Sequence, residues 1–175
     1  MDTQNTLILG GCRSGKSSHA LALANQVPGD RKIFMATSVP TDGEMQERVE
    51  KHIQERGESW QTAEIPVDIP EKIELLAPDV DVILVDCLTL WVSNLMFNEF
   101  DFQKIFKKTE LLTQVLKKTA CPVIMVSNEV GSGIVPENAL ARKFRDMAGF
   151  VNQKVAAASD RVTLVVAGIP MAVKP

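Results

Sequence analysis

One eight-residue stretch constrains this chain more than any other. Residues 10–17 read Gly-Gly-Cys-Arg-Ser-Gly-Lys-Ser and match the phosphate-loop pattern G-x-x-x-x-G-K-[ST] without a substitution. The apolar run Thr6 to Leu9 before them predicts a short buried strand, and Ser18 to Ala24 after them predicts a helix. The motif therefore lies at the strand-to-helix turn that it requires, which favours a phosphate-binding loop over a glycine-rich turn that merely precedes a helix.

The residue types of this loop suit a bound polyanion. Glycine lets successive backbone N–H groups turn towards phosphate oxygens, and the N-terminus of the following helix adds a partial positive charge. We expect Lys16 to contact the β- and γ-phosphates of a nucleotide and Ser17 to bind Mg²⁺ through its hydroxyl. The motif predicts these nucleotide-binding residues: Gly10, Gly11, Cys12, Arg13, Ser14, Gly15, Lys16 and Ser17. Cys12 occupies a variable position, so we interpret it as a filler rather than a reactive thiol.

Length and composition are those of a globular protein. The 175 residues suffice for one domain with a sizeable core, so we expect a single nucleotide-binding domain over residues 1–175. A net charge of −3 without a basic stripe argues against general nucleic-acid binding. We find no cationic leader and no apolar run long enough to span a bilayer, so we expect a cytoplasmic protein. Three widely spaced cysteines without C-x-x-C predict neither a disulfide framework nor a zinc site.

Strand and helix patterns alternate along the chain. Strands are predicted at residues 32–36, 60–65, 80–86, 121–127 and 161–168, most of them as continuous apolar runs. Helices are predicted at residues 42–56, 71–76, 88–97, 102–118 and 138–158, with Pro70 before the second of them. This alternation predicts an α/β fold with a mostly parallel sheet and helices on both faces.

In such sheets ligands bind beyond the C-terminal ends of the strands. That rule collects residues 10–17, residues 36–38, Glu64, Asp86 and residues 128–129 around one crevice. Asp86 ends an apolar strand and is the expected acid that binds Mg²⁺ together with Ser17. The alternatives are that Asp86 caps the next helix and that Glu64 is a solvated residue.

Residues 44–56 carry a second pattern. On a helix, His52 falls within the same arc as the apolar stripe formed by Met45, Val49 and Ile53. Arg48, His52 and Arg56 follow at four-residue spacing and stack on one ridge, which suits a second phosphate contact. A neutral imidazole there is a candidate nucleophile or proton acceptor, although the pattern alone favours a core or salt-bridged histidine.

Together these motifs resemble one family, the bifunctional adenosylcobinamide kinase/adenosylcobinamide-phosphate guanylyltransferases of cobalamin biosynthesis. The resemblance extends over nearly the whole chain and is carried by residues 10–17, 36–38, 44–45, Arg48, His52, 60–64, 128–138, 141–142, 144–146, 148–149, 151–153 and 165–169. The run Asn-Glu-Val-Gly-Ser-Gly-Ile-Val-Pro-Glu-Asn at 128–138 is the most specific of these. Two departures are Lys51-His52 in place of a frequent histidine pair and Cys12 in place of a frequent alanine.

The resemblance implies a two-step enzyme with a RecA-like P-loop sheet, acting as a homotrimer on a corrinoid substrate and nucleoside triphosphates. It would phosphorylate adenosylcobinamide with ATP or GTP and then transfer GMP from GTP to the product through a GMP-histidine intermediate. By this match the catalytic residues are His52 and Lys16, and Ser17 with Asp86 would bind Mg²⁺. The implied nucleotide site adds to residues 10–17 the residues Ala36, Thr37, Ser38, Ile53, Gln54, Glu55, Arg56, Glu64 and Asp86.

Two other functions fit parts of the sequence. One is a monofunctional P-loop kinase of small molecules in which His52 is only structural. The other is an NTPase switch, although the chain has no N-K-x-D guanine motif. The polar candidates for contact with the corrinoid are Asn94, Asn128, Glu129, Arg142 and Arg145, and the alternative for each is an ordinary loop or helix-surface residue.

Overall fold

A seven-stranded sheet organises residues 4–38, 59–98 and 101–175, which are the residues described by the computed structural model. Its strands are β1 (Thr6–Gly10), β2 (Lys32–Ala36), β3 (Trp60–Glu64), β4 (Val82–Asp86), β5 (Val123–Asn128), β6 (Arg161–Val166) and β7 (Ile169–Lys174). The helices in these ranges are α1 (Lys16–Asn25), α2 (Ile69–Leu76), α3 (Leu88–Phe97), α4 (Phe102–Leu116) and α5 (Ala139–Ala158). The helix predicted over residues 42–56 lies outside the described residues.

The strand order is β3-β2-β4-β5-β1-β6-β7. Every neighbouring pair is parallel except β6 with β7. Parallel neighbours require crossover connections, which the helices provide. The prediction of a mostly parallel α/β sheet is therefore confirmed.

Each face of the sheet has its own hydrophobic core. One core joins alternate residues of the central strands to Ala20 and Ala24 of α1. The other joins the remaining strand residues to α2, α3, α4 and α5, with Trp91, Leu112 and Val151 among its buried members. Because side chains of a strand alternate between faces, the continuous apolar runs of β4 and β5 supply both cores. Helices thus cover both faces, as the sequence predicted.

Helix α1 is held at its C-terminal end by a buried lysine. Lys32 is 6% exposed, and its Nζ donates to the carbonyl oxygens of Ala24, Asn25 and Val27 at 3.4, 3.2 and 3.0 Å. Carbonyls at the end of a helix lack helical partners and carry a partial negative charge, which favours a cation. Trp60 Nε1 adds a 3.0 Å hydrogen bond to Asn25 Oδ1. These contacts fix α1 so that its N-terminus lies at the C-terminal edge of the sheet.

Local capping residues set the ends of the other helices. Asp101 accepts from the backbone N–H of Lys104 at 2.8 Å and starts α4. Asn138 directly precedes the first helical residue of α5 and caps that helix. Helix α2 begins at Ile69 rather than at residue 71, because Pro70 is tolerated in a first turn whose N–H groups have no helical acceptor. No described helix has the length and apolar character needed to cross a membrane.

Strand β7 is the main difference from the sequence prediction. The strand predicted over residues 161–168 ends at Val166, and Ala167 and Gly168 form a turn with φ angles of 49° and 81°. The chain then returns antiparallel to β6. All residues of β7 are exposed, so no one-sided apolar alternation marks it as a strand. Pro170 is compatible with this position because β7 is the edge strand of the sheet.

Candidate functional site

The C-terminal ends of the parallel strands form one edge of the sheet. The last residues of β1, β2, β3, β4 and β5 are Gly10, Ala36, Glu64, Asp86 and Asn128. The register pairs Gly10 with Asn128, and it pairs Ala36 with both Glu64 and Asp86. The structure thus brings together the strand-terminal residues that the sequence predicted to meet at this edge.

Three of these strand ends also share one face of the sheet. The core beneath α1 includes the residue two positions before each of them, namely Ile8, Leu84 and Val126. Side chains two positions apart in a strand lie on the same face. Gly10, Asp86 and Asn128 therefore lie on the α1 face, next to the loop that leads into α1.

The phosphate loop, residues 11–15, connects β1 to α1. Lys16 and Ser17 are the first two residues of the helix, both half-buried. Lys16 Nζ donates to the carbonyl oxygen of Gly11 at 3.0 Å, so the ammonium group lies across the loop. Gly15 has a left-handed backbone with φ 92°, a conformation that glycine adopts without strain. The loop therefore gathers a helix N-terminus and a cation at one point.

Close packing inside the phosphate loop leaves room only for glycine at residue 10. A Cβ on Gly10 would lie 2.4 Å from Ser14 Oγ and 2.7 Å from the carbonyl oxygen of Val165. Ser14 Oγ is itself buried, and within the described part of the chain it is the buried side-chain oxygen without a hydrogen-bond partner. Leaving a buried hydroxyl unpaired costs about 1–3 kcal/mol.

The turn between β6 and β7 packs against the phosphate loop, a contact that the sequence analysis missed. Gly168 N–H donates to the carbonyl oxygen of Ser14 at 2.8 Å. A Cβ on Gly15 would lie 3.3 Å from Gly168 Cα, so the two backbones approach closely because both residues are glycine. The only available signal was the pair Ala167-Gly168 directly after an apolar strand.

Thr37 fixes the chain immediately after Asp86. Thr37 is fully buried, and its Oγ1 donates to the carbonyl oxygen of Cys87 at 2.8 Å while accepting from Cys87 N–H at 2.7 Å. Thr37 N–H donates to the carbonyl oxygen of Asp86 at 3.1 Å. Asn94 Nδ2 donates in turn to the carbonyl oxygen of Thr37 at 2.8 Å. The half-buried Asp86 carboxylate is thereby held at the edge of the sheet.

Cys87 is not a nucleophile in this arrangement. Burial, together with the neighbouring charge of Asp86, raises the pKa of the Cys87 thiol to about 11. A thiol reacts as the thiolate, which this pKa keeps scarce at neutral pH. Cys12, in contrast, is exposed in the phosphate loop.

A buried hydrogen-bond cycle holds the end of β5. Asn128 N–H donates to Thr89 Oγ1 at 2.6 Å, and Thr89 Oγ1 lies 3.2 Å from Ser127 Oγ. Ser127 Oγ donates to Asn152 Oδ1 at 2.7 Å, and Asn152 Nδ2 donates to the carbonyl oxygen of Asn128 at 3.1 Å. Since Ser127 uses its hydrogen on Asn152, Thr89 is the donor of the pair with Ser127. The cycle was missed by sequence reasoning, although a polar residue beside Val151 on the apolar arc of α5 was a signal.

The remaining candidates differ in their surroundings. Arg142 Nη1 donates to the carbonyl oxygens of Pro136 and Glu137 and so braces the loop before α5. Asn94 likewise donates to backbone carbonyl oxygens. Glu64 is exposed. The predicted residues His52, Ile53, Gln54, Glu55 and Arg56, together with Arg48, lie outside the described residues.

Comparisons with known proteins agree on one family. The model of the family described as cobinamide kinase / cobinamide phosphate guanyltransferase matches residues 6–173. The bifunctional adenosylcobalamin biosynthesis protein CobU of Salmonella typhimurium is 42% identical over 181 residues, which cover 96% of this chain and 98% of that protein. The corresponding protein CobP of Pseudomonas aeruginosa is 40% identical, with 96% of each chain covered.

Solved structures of other proteins resemble this chain in fold but not in sequence. A KaiC-like protein from Pyrococcus horikoshii OT3 matches 93% of this chain and 70% of its own with a TM-score of 0.54 at 12% identity. The ATPase domain of G40P matches 93% of this chain and 69% of its own with a TM-score of 0.53 at 13% identity. The sheet is therefore of the RecA-like P-loop type. On the family match and these relatives, the chain belongs to the cobinamide kinase / cobinamide phosphate guanyltransferase family and is a transferase.

Proposed function

We propose that this chain phosphorylates adenosylcobinamide and then transfers GMP from GTP to adenosylcobinamide phosphate through a GMP-His52 intermediate. The observation that carries the proposal is the intact phosphate loop at the strand edge of a chain whose relatives are named bifunctional adenosylcobalamin biosynthesis proteins. The nucleotides are ATP or GTP for the first step and GTP for the second. The product is adenosylcobinamide-GDP.

The phosphate loop supplies the triphosphate site in this proposal. Backbone N–H groups of residues 10–17 surround the phosphates, and Lys16 exchanges its contact with the Gly11 carbonyl for phosphate oxygens. The unpartnered buried hydroxyl of Ser14 supports this assignment, because a phosphate oxygen would give it a partner. We assign further nucleotide contacts to Ala36, Thr37, Ser38, Ile53, Gln54, Glu55, Arg56, Glu64 and Asp86.

The residues at the edge suit a magnesium ion. Mg²⁺ prefers oxygen ligands, typically one or two protein groups together with phosphate oxygens and water. Ser17 at the first turn of α1 and Asp86 at the end of β4 offer a hydroxyl and a carboxylate on the same face of the sheet. We propose that these two residues hold Mg²⁺, which when bound neutralises phosphate charge.

The kinase step needs positioning and charge stabilisation more than covalent help. The aminopropanol hydroxyl of adenosylcobinamide attacks the γ-phosphorus, the bond from that phosphorus to the bridging oxygen breaks, and the nucleoside diphosphate leaves. Lys16 stabilises the charge that develops on the β- and γ-phosphate oxygens. The hydroxyl proton passes to solvent or to a neighbouring carboxylate.

The second step uses His52 as a covalent carrier. An imidazole nitrogen of His52 attacks the α-phosphorus of GTP, and the bond from that phosphorus to the oxygen bridging to the β-phosphate breaks. Pyrophosphate leaves, and GMP remains bound to the nitrogen of His52. A phosphate oxygen of adenosylcobinamide phosphate then attacks the same phosphorus, and the phosphorus–nitrogen bond breaks. Such a relay divides one difficult displacement into two easier ones. Arg48 and Arg56, four residues to either side of His52, are assigned to the α-phosphate oxygens.

Labelled GTP tests the relay. Incubation with GTP carrying label in the α-phosphate should leave acid-labile, base-stable label on the protein, whereas label in the γ-phosphate should not be retained on His52. The variant His52→Asn should lose the α-label and keep phosphorylation of adenosylcobinamide.

The chain contains two histidines, which provides a matched control. His19→Asn on α1 should retain the α-label. If the wild-type protein stays unlabelled with and without the corrinoid, or if His52→Asn is labelled like the wild type, the relay is wrong and a monofunctional kinase remains.

We also propose that the protein forms the homotrimer that the family resemblance implies. Light scattering during size-exclusion chromatography should then give three times the mass of one chain.

A further inference from the structure

Asn128 is the last residue of the strand that lies between the two groups assigned to the nucleotide, two positions beyond Val126, the residue in register with Asp86. Strand β5 is flanked by β4, which ends at Asp86, and by β1, which leads into the phosphate loop. Asn128 is in register with Gly10, the first residue of the motif. Its side chain lies on the α1 face, like that of Asp86, and the phosphate loop leads into α1.

The main chain of Asn128 is fixed from the opposite face. Its N–H and carbonyl groups are both used by the buried cycle through Thr89, Ser127 and Asn152. The next residue, Glu129, donates its N–H to the carbonyl oxygen of Gly10 at 3.1 Å, which ties β5 to the start of the phosphate loop. Movement of Asn128 relative to the loop is therefore restricted before any ligand binds.

The carboxamide of Asn128 has unused hydrogen-bonding capacity. The residue is half-buried, and its side chain makes no hydrogen bond to other residues in the ranges 4–38, 59–98 and 101–175. A carboxamide offers two N–H donors and no charge. Donors placed between a carboxylate and a phosphate loop match phosphate oxygens without adding a cation that would compete for Asp86.

We propose that Asn128 donates a hydrogen bond to the terminal phosphate of the bound nucleoside triphosphate. The phosphate loop encloses the inner phosphates with its own backbone. A donor on the neighbouring strand therefore meets the phosphate that projects beyond the loop. Asn128 is then a catalytic residue of the phosphoryl-transfer step. The inference rests on the proposed triphosphate site and is independent of His52.

Nucleotide affinities of Asn128→Ala provide the test. The affinity for the non-hydrolysable analogue β,γ-imido-ATP should fall about tenfold or more, as expected for loss of a hydrogen bond to a charged group, while the affinity for ADP stays within about twofold. Asn128→Asp keeps the shape of the side chain and adds a negative charge, so it should weaken binding of the analogue more than Asn128→Ala does. Gln153→Ala, which removes an exposed carboxamide from α5, is the matched control and should change neither affinity.

Two outcomes would overturn the inference. In one, ADP and the triphosphate analogue lose affinity equally, which indicates that the side chain supports the fold of the loop. In the other, Asn128→Asp binds the analogue as tightly as the wild type. The two-step mechanism is decided separately, by labelling of the wild-type protein and of His52→Asn with GTP, so failure of this inference and failure of the two-step mechanism are distinguishable.

Discussion

Gly10 shows how a single residue can limit what the phosphate loop tolerates. The position of its missing Cβ is occupied by Ser14 Oγ on one side and by a backbone carbonyl of β6 on the other. A hydroxyl can rotate away, but the backbone carbonyl of Val165 is held by the sheet. The glycine is therefore required by packing, in addition to any contact with phosphate.

The adjacent glycine offers a direct comparison. Gly10→Ala should lower the free energy of unfolding by about 1–3 kcal/mol, the usual cost of overpacking a filled site. A Cβ on Gly11 would meet nothing within 4 Å, so Gly11→Ala should change that free energy by much less. Urea denaturation of the two variants measures the difference. Equal losses would show that packing around Gly10 is not the cause.

The β6–β7 hairpin is the element that supports the phosphate loop from outside. Its turn residues Ala167 and Gly168 both have positive φ, and Gly168 donates to the main chain of Ser14. A positive φ strains the backbone of residues that carry a Cβ, whereas glycine adopts it without a comparable energetic cost. The strain at Ala167 is thus retained in a turn that contacts the site.

Two substitutions in this turn should act differently. Gly168→Ala has free space for its Cβ, so its cost should be backbone strain alone, about 1–2 kcal/mol of unfolding free energy. Ala167→Gly should change stability by less than about 1 kcal/mol, because relief of strain offsets the greater entropy of the unfolded chain. Thermal denaturation and nucleotide titration of both variants check this. A Gly168→Ala variant with wild-type stability and nucleotide affinity would contradict a supporting role for the turn.

Elements with strong local patterns were predictable, and elements that depend on distant partners were not. The apolar runs of β4 and β5 indicated buried parallel strands, and their last residues indicated the site edge. Strand β7 escaped prediction because its residues are exposed on both faces and include Pro170. The contact of Thr37 with Cys87 depends on β2 lying beside β4, an order of strands that no local pattern encodes.

At the scale of the whole molecule, the two faces of the sheet have different roles. The larger core, with α2 to α5, contains most of the buried side chains, and the α1 face contains the strand-terminal residues of the site. A ligand that binds only the folded state stabilises the entire chain by mass action. Nucleotide binding at the edge should therefore be visible in global unfolding.

A thermal shift measures this coupling. GTP with Mg²⁺ at about 100 times its dissociation constant should contribute about 2.7 kcal/mol and raise the Tm by about 5–10 °C. Lys16→Ala should lose most of the shift, because its ammonium group lies across the phosphate loop. Lys117→Ala, an exposed lysine after α4, should keep it. A shift retained in Lys16→Ala would place the nucleotide elsewhere.

The common face of Gly10, Asp86 and Asn128 makes the arrangement of the crevice a matter of parity. Each of these residues is an even number of positions from a side chain of its own strand that belongs to the core beneath α1. Insertion of one residue between Leu84 and Asp86 would turn the carboxylate to the side of α3, whereas insertion of two would return it to the side of α1. Odd length changes inside these strands should therefore move the site residue to the wrong face, whereas even changes keep its face and displace it along the strand by about 3.3 Å per residue.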